Sequence, residues 1–150
     1  MKALRHTATI ALLVCAMSST RCSGGDDTPP PPPPCVENLN TNCAPLHAPP
    51  IYSTIYREII LKQCTTGTVC HSAAGAMGGL VLDNADDTYD ALLGVKGGTK
   101  RVLPRDPACS PLMLRLTSRD PNYVMPQGSR LLDSEICDFV LWIKEGAQKN

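Results

Sequence analysis

The chain is 150 residues long, with 14 Lys and Arg set against 14 Asp and Glu and a formal net charge of zero. That balance, without any basic cluster, excludes nucleic acid as the expected partner, and the length allows one domain plus a leader and a tether. With only four Tyr, one Phe and one Trp, a domain of about a hundred residues has a marginal core of its own.

Lys2 and Arg5 precede an apolar run from Ala8 to Met17, the basic and apolar regions of a secretory signal rather than a membrane span. Residues 1–22 are read as that signal peptide. Cys22, followed by Ser23-Gly24-Gly25-Asp26-Asp27, stands where a lipoprotein carries its acylated cysteine. Arg21 is a poor fit to the small residue expected before such a cysteine, and Cys15, after Leu12-Leu13-Val14, fits no better. Residues 23–50 read as a proline-rich disordered tether, with Pro29 to Pro34 forming a stiff polyproline II rod that would hold a domain off a membrane. Cys35 and Cys43 frame the end of this tether and are expected to pair, with order starting at Ile51.

From there Ile51, Tyr52, Ile55, Tyr56, Ile59 and Ile60 recur at helical spacing, with Arg57, Glu58 and Lys62 on the other side, which predicts an amphipathic helix running into Cys64. Gly75, Gly78 and Gly79 make a loop before Leu80-Val81-Leu82-Asp83. Asp86 or Asp87 is expected to cap a short helix over Thr88 to Leu93, stopped by Gly94. Ser110-Pro111 is an N-cap and first-turn pair that starts a helix carrying Leu112, Leu114 and Leu116. Arg119-Asp120-Pro121-Asn122 breaks it and delivers Met125-Pro126. Asp133 or Ser134 then caps a last helix with Ile136, Phe139, Val140 and Ile143 in one stripe, ended by Gly146. The fold class is all-α, three to four short helices with long loops. Loops of this length need something to fold around, and either a buried porphyrin or disulfides would serve.

Beyond Cys22 lie Cys35, Cys43, Cys64, Cys70, Cys109 and Cys137, an even number in an oxidising compartment. Cys109 and Cys137, each at the first turn of a helix flanking the Met125 loop, are expected to form a disulfide. Cys70-His71 carries a different implication. In c-type cytochromes a cysteine sulfur bonds a haem vinyl group, the next residue's imidazole ligates the iron and a distant methionine completes the coordination. The usual motif is C-x-x-C-H, whereas here the preceding cysteine is Cys64, giving C-x5-C-H. On a continuous helix Cys64 and Cys70 would lie about 9 Å apart at ~1.5 Å per residue. Thr65 to Val69 must therefore loop out for both to meet a haem. Three readings stay open: both cysteines bind haem, Cys70 alone binds it, or the two form a disulfide in a haem-free domain.

Residues Ile51 to Ala147 resemble the planctomycete-type cytochrome C domain of exported bacterial proteins. The resemblance is carried by the helix leading to Cys64 and Cys70-His71, by Gly78-Gly79-Leu80-Val81-Leu82 and by Pro104-Arg105-Asp106-Pro107 ahead of Ser110-Pro111-Leu112. It closes with Met125-Pro126, Leu132-Asp133-Ser134-Glu135-Ile136 and Trp142-Ile143-Lys144-Glu145-Gly146-Ala147. It implies a cytochrome c-like fold over 51–150 holding one haem c. Cys70 would carry the principal thioether, Cys64 a second, His71 the proximal ligand position and Met125 the distal one. Arg105 departs from the glycine that the family ordinarily has there.

The other candidates are weaker. His47 reads as a solvated histidine, Met113 as a core residue and Trp142 as packing near the haem, while Met77 is an alternative thioether. Asp83, Asp86, Asp87 and Asp90 lack the spacing of a calcium loop. No nucleophile elbow, phosphate loop or H-E-x-x-H run is present, so no enzyme activity is expected. The expected function is electron transfer to an unidentified redox protein by an exported cytochrome, periplasmic or anchored at the outer membrane or cell surface of a bacterium. The rival is a haem-free, disulfide-stapled surface or interaction lipoprotein.

Overall fold

The computed structural model describes residues 35–150. The signal peptide, the lipidation of Cys22 and the Pro29 to Pro34 rod lie outside the described residues. The described elements are all helical, in the order α1 (Tyr52–Ile55), a π-helix (Tyr56–Cys64), a 3-10 turn (Met77–Gly79), α2 (Ala85–Leu93), α3 (Pro111–Thr117) and α4 (Asp133–Lys144). Long loops join them, as in the expected all-α, cytochrome c-like class.

The first helix forms where the periodicity places it. Tyr52, Ile55, Ile59 and Ile60 are buried on one side, and on the other the Glu58 carboxylate pairs with Lys62 at 2.5 Å and Arg57 at 2.7 Å. What the periodicity does not reveal is the change of winding. After one α turn the helix widens to π over Tyr56–Cys64, with backbone bonds reaching five residues back. It stops at Cys64, where Thr65 Oγ1 donates to the Leu61 carbonyl at 2.8 Å and satisfies one of the end's unpaired acceptors.

α2 begins earlier than its acidic residues suggest. Asn84, not Asp86 or Asp87, is the cap, accepting the N–H groups of both through Oδ1 at 2.9 and 3.1 Å. Gly94 ends α2 in the left-handed conformation. Ser110 and Pro111 do start α3, yet the buried Ser110 hydroxyl turns back to bond the Leu103 N–H at 2.8 Å and the Asp106 carbonyl at 2.8 Å. At α4 the residue ahead of the helix is Leu132, and Glu135 reaches back to accept its N–H at 2.8 Å. α4 is the central element, with Ile136, Phe139, Val140, Trp142 and Ile143 all buried against α1, α2 and α3 residues. Tyr52 stacks on Trp142 with ring centroids 5.6 Å apart, and Met113 is fully buried, as expected of a core methionine.

The lead-in corrects three expectations. Order does not wait for Ile51, because residues 35–50 are a strap laid along α3 and α4. Cys35 bonds Cys109 and Cys43 bonds Cys137, so neither Cys35–Cys43 nor Cys109–Cys137 forms. Pairing by nearness along the chain fails because the strap carries Cys35 to the turn ahead of α3 and Cys43 to Cys137 within α4. The two bonds span 74 and 94 residues, for which chain entropy predicts a stabilisation on the order of 4–5 kcal/mol each. Between them Val36 N–H donates to the Ala108 carbonyl at 2.8 Å and Leu46 N–H to the Ser134 carbonyl at 3.1 Å. His47 is the third correction. It is half-buried rather than free in solvent: its Nδ1 lies 2.7 Å from Oδ2 of Asp138, and its backbone N–H donates to Oδ1 of the same carboxylate at 3.0 Å. Asp138 is fully buried, and a buried carboxylate needs such partners to offset its desolvation.

Candidate functional site

The expected site residues fall into one tight loop and one separate arm. The loop starts where the π-helix stops. Cys64 is its last residue, and Thr65 to Cys70 leave the helix, so the excursion required by the C-x5-C-H spacing is present. His71 N–H then donates to the Cys64 carbonyl at 3.0 Å, which returns the chain to the helix end. Gly67 takes φ +69° in the excursion, and its carbonyl accepts from Ser72 Oγ at 3.0 Å.

The segment after His71 wraps the Cys-His pair. Met77 N–H donates to the Cys70 carbonyl at 3.2 Å and Leu82 N–H to the His71 carbonyl at 2.7 Å. Gly75 is packed so closely that a Cβ there would sit 2.4 Å from the Cys70 carbonyl oxygen, a distance no side chain tolerates. Asp83 accepts the Ala73 N–H at 2.6 Å, closing the loop from below. It therefore does more than cap or meet solvent.

Orientation of His71 follows from one contact. Nδ1 lies 3.3 Å from the Leu80 carbonyl oxygen. A carbonyl only accepts, so the neutral ring that makes this bond carries its proton on Nδ1 and keeps the lone pair on Nε2. That is the arrangement in which a metal-ligating histidine is held by its second nitrogen.

Cys64 and Cys70 carry free thiols, while the other four cysteines among the described residues are paired. Burial pushes the Cys64 thiol up to about 12, with the nearby Cys70 sulfur and the Glu135 carboxylate adding to the rise. Cys64 is thus a protonated thiol at neutral pH. Thr66 Oγ1 lies 3.9 Å from Cys70 Sγ.

Met125 arrives on the second arm. Its N–H donates to the Arg115 carbonyl at 3.0 Å, after a turn in which the Tyr123 and Val124 N–H groups both bond the Asp120 carbonyl, at 3.0 and 2.8 Å. The Arg115 guanidinium lies over the Tyr123 ring at 3.8 Å and donates to the Tyr123 carbonyl at 3.2 Å, so α3 fixes the arm at two points. Met125, Cys64 and Leu80 pack, half-buried, against the same hydrophobic core.

The donor set suits a haem better than a bare ion. Among the described residues no group of three or more His, Cys, Asp or Glu converges, so a metal held by those side chains alone has no cage. An iron already chelated by a macrocycle needs only two axial donors, and His71 with Met125 is a nitrogen and sulfur pair of that kind. The two free thiols, Cys64 and Cys70, are groups of the type that bonds porphyrin vinyls. The two cavities described, of about 290 and 240 Å³, lie under the Met125 arm and beneath the strap and are not lined by Cys64, Cys70 or His71. Within the Cys-His loop the apolar side chains Val69 and Met77 are instead exposed, at 69 and 51 %.

Three contributors were not visible in the sequence reading. The Leu80 carbonyl and Gly75 act through backbone and through space left empty, which no side-chain pattern marks, and Asp83 was grouped with acidic neighbours that do something else. No curated protein and no solved structure matches this chain. Over residues 68–128, a span that holds Cys70, His71 and Met125 but leaves Cys64 outside, the chain matches the family model described as planctomycete cytochrome C.

Proposed function

We propose that this chain is an exported c-type cytochrome that transfers electrons through one covalently held haem, with His71 and Met125 as axial ligands and Cys70 as the principal anchor. The observation that carries the proposal is the division of the cysteines. Four of the six described ones tie the strap to α3 and α4, and the two left as thiols lie at the loop that ends in His71, whose ring is held at Nδ1 by the Leu80 carbonyl. Exported cysteines are otherwise expected to be oxidised in pairs.

A haem bound here would supply reversible one-electron chemistry at its iron. The chain's own residues do the positioning. Leu80 holds the His71 ring by Nδ1, Gly75 lets the backbone close on Cys70, and Arg115 anchors the arm that presents the Met125 thioether. A haem held by both His71 and Met125 would have no coordination site left for a substrate, which supports electron transfer rather than catalysis. Among the described residues no helix is long and apolar enough to cross a membrane, and attachment through Cys22 is the anchoring mode that the leader supports.

The rival, a haem-free interaction module, is favoured by one observation: the described helices already close on a hydrophobic core and two disulfides. Absorbance of the protein purified from its native host decides between them. The cytochrome shows a Soret band, a pyridine haemochrome and a coloured band that survives a denaturing gel. A colourless protein with a Cys64–Cys70 disulfide overturns the proposal.

A further inference from the structure

Cysteines three residues apart lie about one helical turn from each other and can meet both vinyls of one porphyrin, whereas Cys64 and Cys70 are six apart. The backbone removes the difference. In a helical turn the N–H of residue i+4 bonds the carbonyl of residue i, so in a C-x-x-C-H run the histidine N–H would bond the carbonyl of the first cysteine. Here the His71 N–H bonds the Cys64 carbonyl at 3.0 Å. The same closure is made across seven residues instead of four, and the surplus of three is carried outward.

Everything in the excursion agrees with extrusion. Thr66, Gly67, Thr68 and Val69 are exposed. Gly67 stands at φ +69° with open space around it, and Ser72 Oγ holds its carbonyl at 3.0 Å. Thr65 stays with the helix through its bond to Leu61, and Cys70 is pressed from the other side by Gly75. The excursion thus has fixed feet and an exposed crown held at one point, the Gly67 carbonyl.

We propose that Cys64 and Cys70 form a split C-x-x-C-H, in which Thr66, Gly67 and Thr68 are an extruded insertion and both thiols are covalent haem anchors. The inference rests on the haem reading above. Each bond forms by addition: the thiol S–H adds across a vinyl C=C, sulfur to one carbon and hydrogen to the other, with no leaving group and no net oxidation.

The test is alkylation of protein from the native host under denaturing, non-reducing conditions, followed by peptide mass spectrometry. Expected are Cys64 and Cys70 both unlabelled, with the mass of one haem on the peptide that contains them. Cys64→Ala should keep haem through Cys70 while its pyridine haemochrome α-band moves to longer wavelength, because one vinyl stays conjugated. Deleting Thr66, Gly67 and Thr68 should leave both thioethers and the wild-type band position. A haem-bearing wild type whose Cys64 is alkylated overturns the split motif and leaves the cytochrome standing. A shortened chain holding haem through one thioether also overturns it, and a wild type with no haem removes both proposals. If the shortened chain does not fold, wild-type labelling and the Cys64→Ala band decide the matter.

Discussion

The strap over 35–50 and the loop over 65–82 are both irregular segments, yet they are held by opposite means. Two disulfides and the contact of half-buried His47 with buried Asp138 fasten the strap, so side chains do most of the fastening. The loop has no covalent tie within the described chain. It is held by backbone bonds at Cys64, Cys70 and His71, by single side-chain bonds from the His71 ring, Ser72 and Asp83 to the backbone, and by the absence of a side chain at Gly75. The difference teaches what each segment is for. Covalent closure leaves the strap's cysteines nothing else to do, whereas a backbone-held loop keeps its two thiols and its imidazole available.

The comparison is broken most forcefully at the strap. Replacing Cys43 and Cys137 together by Ala should lower stability to unfolding by about 4 kcal/mol, read as a fall in the denaturant midpoint, while the spectrum of any bound haem stays unchanged. A spectral change would mean that the strap shapes the site after all. Next comes the His47–Asp138 contact. His47→Ala leaves the buried Asp138 carboxylate short of its side-chain partner and should cost about 2 kcal/mol; in the Asp138→Asn background the same change should cost clearly less, which a double-mutant cycle measures.

The loop is the place to sharpen it. Gly75→Ala drives a methyl into the Cys70 carbonyl and should cost about 1–3 kcal/mol by overpacking, but its distinguishing effect is loss of haem retention with the disulfides intact. Met125→Ala should keep haem attached, open the sixth position to added ligands such as cyanide or imidazole, and lower the potential. The smallest effect is a pH dependence. Burial raises the Cys64 thiol from its ordinary 9 to about 12, so in haem-free protein its alkylation stays slow at pH 9–10 and accelerates only nearer 12. Between those values the unfolded chain has released a proton that the folded chain keeps, so stability should fall as pH rises through that window. Fast labelling of Cys64 at pH 9 would show that its burial is not maintained in solution.

Much of this was legible before folding. The spacing of Tyr52, Ile55, Ile59 and Ile60 marks a buried helical stripe, and Ser110-Pro111 and Gly94 mark a start and a stop, because these residues act locally through periodicity and backbone preference. The need for Thr65 to Val69 to leave the helix was equally legible, since helical rise alone sets the separation of Cys64 and Cys70. The π winding of Tyr56–Cys64 was not. It preserves the apolar face that the pattern reports and changes only how far each N–H reaches.

Long-range partnership was settled only in three dimensions. Cys35 and Cys43 invited each other by proximity in the chain, and His47 in a proline-rich stretch looked solvated; the strap's path along α4 gave each a partner 74, 94 and 91 residues away. Residue type states that a cysteine can pair and that a histidine can bond a carboxylate. It carries no address, because the address is set by the packing of α4 against everything else. The chemistry at Cys70-His71 was carried by the sequence itself, a thiol and an imidazole adjacent in the chain, and tertiary structure decided which imidazole nitrogen is left free, by bringing the Leu80 carbonyl to the other.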